Sequence, residues 1–319
     1  MMTNREKEIA EILLTAVKQE LESTDLEVRL TDVIKNNNVE KTAIAVRLDG
    51  VEANRYIDHD VELILNGQAT IDEVASSIAR GLKVQAEKPM FSVSGVLGMF
   101  DNPDYTRLQA KLINKESNKE MLKVVPHRDI AGDLTVVPMY KVSDEGVCVI
   151  NKSICTEHMN LTASELMNKA IESTRNEGAK IRTMLETMAG IMGVPEEDLA
   201  RTMGVDNETM LVVTNNDNRF GATNIFIDKS VREQVAERFG GDFYIIPSSV
   251  HEVICVSADA MTPQQLATMI GEVNATEVSA DEVLSNHPYF VDGQTLKISN
   301  PCVEQRELVA DEMRHTFHM

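Results

Sequence analysis

The pattern of apolar and polar residues divides the first 88 residues into three helices and a small antiparallel sheet. Apolar positions recur every three or four residues in the expected helices, and they alternate singly in the first expected strand. A turn is predicted at Asn36–Asn38, because asparagine tolerates left-handed backbone geometry. The patterns predict helices at 4–22, 58–66 and 71–87, and strands at 26–30, 43–48 and 55–57. We therefore expect an N-terminal helix, hairpin and helix module over residues 1–88.

Residues 89–319 are expected to form a larger α+β body with two similar strand–strand–helix units, at about 109–205 and 208–299. The unit strands are predicted at 134–142, 147–151, 210–214 and 222–227, with helices beginning near 162 and 228. Further helices are predicted at 107–123, 263–274 and 303–316, and further strands at 242–246, 250–256 and 295–299. Because hairpins outnumber β-α-β connections, the fold class is α+β, with mainly antiparallel sheets, flanking helices and a possible internal duplication.

A stripe of large apolar residues at helical spacing separates the two units. It consists of Ile181, Met184, Leu185, Met188, Ile191 and Met192. A Met-rich stripe of this kind is typical of core packing, and a binding groove is the alternative. We expect core packing.

The amino-acid composition and net charge exclude several classes of protein. The 319 residues include 51 acidic and 31 basic side chains, a net charge of −20, and 43% of the residues are hydrophobic. That hydrophobic content is too high for a disordered chain, and no run approaches the roughly 18 apolar residues of a membrane helix. The chain begins directly with a charged helical pattern, so we expect no signal peptide, a cytoplasmic protein and no membrane contact. An acidic chain without a basic footprint is also a poor direct ligand for nucleic acid.

Metal and cofactor motifs are not found in the sequence. The four cysteines form no C-x-x-C pair, and the spacing of Cys148, Cys155 and His158 does not match a zinc site. The G-x-x-G string at 95–98 is not followed by the G-K-S/T of a phosphate loop. We expect no metal and no cofactor.

The first candidate site is Pro126–Asp133, which contains the string His127-Arg128-Asp129. A kinase catalytic loop is excluded, because Leu134 stands where a metal-binding Asn is required. We expect a polar entry to the following strand, with Asp129 or Asp133 holding the turn and Arg128 paired to a carboxylate. His127 and Arg128 remain candidates for a functional cleft.

The second candidate site is the string Pro247-Ser248-Ser249-Val250-His251-Glu252-Val253. Ser249 and His251 would share one face of a strand, as a nucleophile and base might, but residues two apart on a strand are about 6.5 Å apart. That separation exceeds hydrogen-bond reach, so we expect the serine hydroxyls to bind backbone groups at a turn. Ser249 and His251 stay as catalytic candidates, and Glu252 is a binding candidate.

The third candidate site is the polar loop Asn215–Gly221. Arg219 and Phe220 occupy positions that a calcium loop does not allow, and no Glu closes the loop. We expect a hairpin turn that exposes Arg219 and Phe220 for contact with a binding partner.

Three blocks of residues resemble a known family. They are Lys111–Asn114 with Val125–Arg128, Thr214–Asn215 and Arg219–Ala222 with Asp242–Ile254, and Val273–Asn274 with Glu282–Ser285. Together they resemble an uncharacterised domain-of-unknown-function family that is common among accessory genes of mobile elements in gut bacteria, and the resemblance extends from Asn36 to about Ile298. The Pro-Ser-Ser-Val-His-Glu-Val string is its most specific part. Family members often run from Arg128 into an apolar strand, whereas this chain inserts Asp129, Gly132 and Asp133, so no role is transferred to Asp129.

The resemblance implies no reaction, since none is assigned to the family. We expect a non-enzymatic cytoplasmic accessory protein that binds a macromolecular partner, with an unidentified protein as that partner. One alternative is a hydrolase or transferase of unrecognised type in which His127 and His251 are brought together. A minor alternative is an acidic DNA mimic, which requires carboxylates in rows near phosphate spacing.

Overall fold

A computed structural model describes residues 2–48, 51–86, 93–143, 146–203 and 210–300. The chain forms two compact units. The first comprises the described residues up to Asp104 together with Glu157–Asn160, and the second comprises Tyr105–Thr156 and the described residues from Leu161 onward. The first unit thus includes a helix beyond the expected limit at residue 88. None of the described helices is long and apolar enough to cross a membrane.

The first unit packs helices against one antiparallel sheet. Its strands β1 (Glu27–Ile34), β2 (Glu40–Leu48) and β3 (Val51–Tyr56) lie in the order β1-β2-β3. Its helices are α1 (Asn4–Glu20), α2 (Asp58–Leu65), α3 (Ile71–Ala86) and α4 (Val93–Asp101). Thr3 caps α1 in a reciprocal capping box with Glu6, and left-handed Asn37 and Asn38 make the β1–β2 turn. Leu13, Val17, Ile44, Ile78 and Leu82 are among the buried residues that form the core of this unit.

The second unit contains two antiparallel sheets. The smaller sheet comprises β4 (Leu108–Asn114), β5 (Arg128–Ala131), β6 (Leu134–Lys141) and β7 (Val147–Val149), and β6 pairs with the other three. The larger sheet has the order β13-β12-β10-β11-β9-β8, and its strands are β8 (Lys180–Thr183), β9 (Met210–Thr214), β10 (Phe243–Ile246), β11 (Val253–Ser257), β12 (Tyr289–Val291) and β13 (Ile298–Ser299). The described strand pairs are antiparallel, which confirms the α+β class.

The helices of the second unit connect and flank these sheets. They are α5 (Lys119–Val124), α6 (Ala163–Glu177), α7 (Met184–Met192), α8 (Glu196–Met203), α9 (Thr223–Ile227), α10 (Lys229–Phe239) and α11 (Pro263–Thr276). A π-helical turn spans Ile154–His158, and only its residues up to Thr156 belong to this unit. Capping boxes at Thr162 and Thr262 begin α6 and α11, and Pro263 lies in the first turn of α11. On the edge of β4 away from β6, backbone N–H groups donate to threonine hydroxyls. The Ala110 N–H donates to Thr174 at 2.8 Å, and the Leu112 N–H donates to Thr223 at 3.0 Å.

Two predicted elements are wrong. Residues 107–123 form β4 and the short helix α5, because β4 is buried on both faces and therefore lacks the alternation that marks a strand. Residues 222–227 form α9 where a strand was expected. All five residues of α9 are buried, including Thr223 and Asn224, and periodicity alone does not distinguish a strand from a helix in so short a buried segment.

The second strand–strand–helix unit is therefore not formed as expected. It contains β9, a loop and two helices, with no strand at 222–227. Strand β12 was not predicted, and β11 begins at Val253 because residues 247–252 form a loop. The helix predicted at 303–316 lies outside the described residues.

Candidate functional site

The loop Asn215–Gly221 leaves the end of β9 and is folded around the side chain of Asn215. That side chain is buried, and its Oδ1 accepts a hydrogen bond from the Arg219 N–H at 3.0 Å. Its Nδ2 donates to the Arg219 carbonyl at 2.8 Å. Asn218 and Phe220 adopt left-handed conformations with φ of 51° and 59°. The two hydrogen bonds of the Asn215 side chain close residues 215–221 into a tight loop and fix the positions of Arg219 and Phe220.

Gly221 ends the loop where the backbone passes close to itself. A Cβ at this position would lie 2.3 Å from the Asn215 nitrogen and 2.6 Å from the Thr214 carbonyl carbon. No side chain other than hydrogen fits without moving backbone atoms.

His251 holds the same loop from the other side. Its carbonyl accepts hydrogen bonds from the Gly221 N–H at 2.9 Å and the Thr214 hydroxyl at 2.8 Å. Its ring Nδ1 lies 3.2 Å from the Phe220 nitrogen and accepts that N–H, and the two rings are 5.1 Å apart. Because Nδ1 is an acceptor, the ring hydrogen belongs on Nε2, which lies 3.3 Å from Glu282 Oε1. Both ring nitrogens of His251 are thus engaged.

The serines before His251 hold the turn between β10 and β11. The Ser248 hydroxyl donates to the Glu252 carbonyl at 3.0 Å, and Ser249 Oγ accepts the His251 N–H at 3.0 Å. The Glu252 N–H also donates to Ser249 Oγ at 3.4 Å, so Glu252 takes part in this turn through both its carbonyl and its N–H. The serine hydroxyls bind backbone groups at a turn, as expected, although residues 247–252 form a loop and not the strand on which the spacing argument rested.

A cavity of about 490 Å³ opens beside this loop. Its lining includes Arg107, Lys141, Asp217, Arg219 and Phe220. The lining therefore contains three basic side chains and one acidic side chain among the described residues.

Lys141 is the most enclosed of these cations and bridges two carboxylates. Its Nζ lies 2.6 Å from Asp217 and 3.2 Å from Glu177. Burial alone would lower the pKa of Lys141, but the hydrogen bond with Asp217 and the charge of Glu177 raise it. The same hydrogen bond from Lys141 lowers the pKa of Asp217, and the charges of Arg219 and Lys180 act in the same direction. Lys141 therefore stays protonated, and Asp217 stays ionised.

Two more cations approach the loop. The Lys111 ammonium lies 4.9 Å from the centroid of the Phe220 ring, and the Arg219 guanidinium carbon lies 5.5 Å from the same centroid. Lys180 Nζ donates to the Asn216 carbonyl at 2.9 Å. Phe220 thus holds cations over its ring by cation–π attraction at the edge of the cavity.

His127 and Arg128 lie at a different place in the second unit. Arg128 donates to the amide oxygen of Asn168 at 2.8 Å, so its partner is an amide and not the expected carboxylate. It lines another cavity, of about 590 Å³, together with Asp129 and Glu172. The exposed His127 has its Nδ1 3.2 Å from the Val125 carbonyl. The hydrogen bonds of the described residues link neither residue to Ser249 or His251.

Asp133 forms a polar cluster that the sequence did not reveal. Its Oδ1 accepts from Tyr289 and, at 3.0 Å, from His287, and its Oδ2 accepts from Asn114 at 2.9 Å and Ser285 at 3.1 Å. Burial would raise the pKa of Asp133, but the donors from His287 and Tyr289 outweigh it and lower the pKa to about 2. The cluster ties the β5–β6 turn to the segment before β12.

This cluster was missed because its members are far apart in the sequence. Asp133 was considered only as a turn residue, and nothing near His287 or Tyr289 marks them as its partners. Among the described residues, no group of three or more His, Cys, Asp or Glu side chains could hold a metal ion.

The chain belongs to a family of unknown function. The model of that family, DUF5688, matches residues 7–292. No curated protein matches the chain, and no solved structure matches it.

Proposed function

We propose that this is a non-enzymatic binding protein whose cavity beside the Asn215–Gly221 loop takes an anionic group of a protein partner. The observation that carries the proposal is the basic lining of that cavity, formed by Arg107, Lys141 and Arg219, in a protein of net charge −20. The candidate binding residues Arg219 and Phe220 both belong to this lining.

The charge balance of the cavity is opposite to that of the whole chain. Five basic residues lie in the lining or contact its loop: Arg107, Lys111, Lys141, Lys180 and Arg219. Among the described residues, Asp217 and Glu177 pair with Lys141, and Asp217 is the acidic side chain of the cavity lining. Two further acidic residues, Asp144 and Glu145, lie outside the described residues, so this comparison of basic and acidic side chains covers the described residues only. A local excess of positive charge in an acidic protein attracts anions to this point.

The chemistry of the lining favours a phosphoryl or carboxylate group. Guanidinium groups such as those of Arg107 and Arg219 bind such groups through paired hydrogen bonds. The Phe220 ring already contacts Lys111, Arg219 and His251. Its role is therefore to orient the two cations, and not to stack against a base of the ligand. We therefore assign the cavity to a compact anionic group and not to a stacked base.

The proposal is tested by titrating the full chain with a phosphoserine peptide and with the same peptide carrying unmodified serine. Calorimetry should show saturable binding of the phosphopeptide and none of the serine peptide. The variants Arg107→Gln and Arg219→Gln should each weaken binding about tenfold, a typical loss for one charge-assisted pair. Arg201→Gln removes an exposed charge of the same kind from α8 and serves as the control. Equal weakening by the control, or equal binding of both peptides, would overturn the proposal.

Binding is favoured over catalysis because of the contacts of the histidines. His251 uses both ring nitrogens to hold the Phe220 loop and Glu282, and no hydrogen bond of the described residues joins it to His127. If the protein were a hydrolase or transferase that uses these histidines, the variants His127→Ala and His251→Ala should each abolish its catalytic activity. The binding proposal predicts that His127→Ala leaves phosphopeptide affinity unchanged. The proposal also includes a cytoplasmic location. The family resemblance in sequence adds a setting among mobile-element accessory genes.

A further inference from the structure

The helices α7 and α8 carry apolar side chains that the fold does not bury. The stripe from Ile181 to Met192 was expected to pack in the core, but its last turn projects into solvent. The side chains of Ile191 and Met192 are 81% and 59% exposed, and Val194 is 38% exposed. Of these two helices, only Ala189 and Leu199 are buried among the described residues. The core explanation therefore fails for the end of this stripe.

The exposed apolar residues are concentrated here. Eight large apolar side chains are more than a third exposed among the described residues, and three of them fall between Ile191 and Val194. The other five are scattered singly through the chain: Ile12, Ile34, Val84, Val124 and Val273. Single exposed apolar residues need no explanation, whereas a cluster marks an interaction site.

An acidic edge adjoins this cluster. Glu196, Glu197 and Asp198 come after Val194 and Pro195, in the first turn of α8, and all three are exposed. Arg201 is the only basic residue of the two helices, and it lies 3.4 Å from Asp198 and 3.9 Å from Glu197. The surface thus combines flexible apolar side chains with an excess of negative charge.

We propose that the α7–α8 surface docks an amphipathic basic helix of a partner protein. Apolar side chains of that helix would cover Ile191, Met192 and Val194, and its Lys or Arg side chains would face Glu196, Glu197 and Asp198. Methionine suits such a surface because its unbranched side chain adapts to different partners. Charge complementarity selects a basic helix over an acidic one. This surface is distinct from the basic cavity, and the proposal does not rest on the function assigned to that cavity.

The test uses the full chain and a labelled amphipathic helical peptide built only from Leu and Lys, beside the same design built from Leu and Glu. Fluorescence anisotropy should show binding of the Lys peptide and none of the Glu peptide. The variant Ile191→Ser/Met192→Ser should weaken binding at least about tenfold, because two apolar side chains lose their contacts. Ile34→Ser removes an apolar side chain that is 66% exposed and should change nothing.

The charge contribution is tested by a second matched pair. Glu196→Gln/Glu197→Gln should weaken Lys-peptide binding several-fold and reduce its salt dependence, while Glu233→Gln/Glu237→Gln removes two exposed charges from α10 and should leave binding unchanged. Because these side chains are exposed, the melting temperature of each variant should match the wild type. The proposal would be overturned if a control variant weakened Lys-peptide binding as much as the α7–α8 variant with which it is matched. It would also be overturned by a wild-type dimer in light scattering that Ile191→Ser/Met192→Ser dissociates, since the surface would then bind a second copy of this chain.

Discussion

The Nδ1 atom of His251 accepts a hydrogen bond from the backbone N–H of Phe220 at 3.2 Å, across 31 residues of sequence. The carbonyl of the same histidine accepts the N–H of Gly221 at 2.9 Å. The string Pro247–Val253 therefore acts on a loop that belongs to another part of the chain. Its histidine positions Arg219 and Phe220 at the edge of the cavity.

His251→Ala should destabilise the second unit and weaken anion binding without touching the cavity. It leaves the Phe220 N–H without its acceptor, which costs about 1–3 kcal/mol of unfolding free energy. His251→Asn should recover part of both losses, because the asparagine oxygen lies near the position of Nδ1. Chemical denaturation and phosphopeptide titration check this pair. If the asparagine variant behaves as the alanine variant does, the hydrogen bond to Phe220 is not what positions the loop.

Gly221→Ala should destabilise the protein strongly. The added methyl would lie 2.3 Å from the Asn215 nitrogen, so backbone atoms of the loop must move. We expect a loss of more than about 2 kcal/mol of unfolding free energy. Gly271→Ala is the matched control, since Gly271 lies in α11 with no atom within 4 Å of the added carbon. Urea denaturation should show it unchanged or more stable by up to about 1 kcal/mol. Equal effects of the two variants would contradict the close approach at Gly221.

Asp133 should make stability depend on acidic pH. The pKa of its carboxyl is lowered from 3.8 to about 2 in the folded protein. The resulting stabilisation is present above about pH 4, the unfolded pKa, and is lost as the pH falls toward 2. At pH 7 it corresponds to roughly 2 kcal/mol.

Asp133→Asn removes the charge and keeps the shape of the side chain. The difference in unfolding free energy between wild type and variant should be largest near pH 7 and should shrink as the pH approaches 2. Denaturant titrations at several pH values measure it. A difference that stays constant over this range would show that the charge of Asp133 is not responsible.

Local signals in the sequence located several elements correctly because those elements depend on neighbouring residues. Helix α1 begins after Thr3, α11 begins at Pro263, and the β1–β2 turn lies at Asn36–Asn38, all as the patterns predict. A cap, a proline or a left-handed asparagine acts on the backbone within a few residues. The loop at 215–221 lies where a turn was predicted, and Asn215 binds the backbone of Arg219 four residues away. It is not the predicted hairpin turn, because it leads from β9 into helix α9.

The errors fall where burial overrides local preference. Strand β4 is buried on both faces, so its residues do not alternate between apolar and polar as those of a half-exposed strand do. The segment 222–227 is buried throughout although it includes Thr223 and Asn224, and packing decided that it forms a helix. The predicted helical stripe from Ile181 to Met192 is helical only from Met184, because Ile181 lies in strand β8. Helical spacing also does not say whether another element covers the end of the stripe.

The sequence by itself determined the α+β class, the acidic charge, most helix starts and the residues that form the 215–221 loop. Only the tertiary structure decided that His251 supports that loop, that Lys141 bridges Glu177 and Asp217, and that Asp133 meets His287 and Tyr289. The physical reason is the separation along the chain between the residues that interact. Caps and turns satisfy backbone groups nearby in the chain, whereas cavities, buried carboxylates and uncovered apolar surfaces depend on which distant segments pack together.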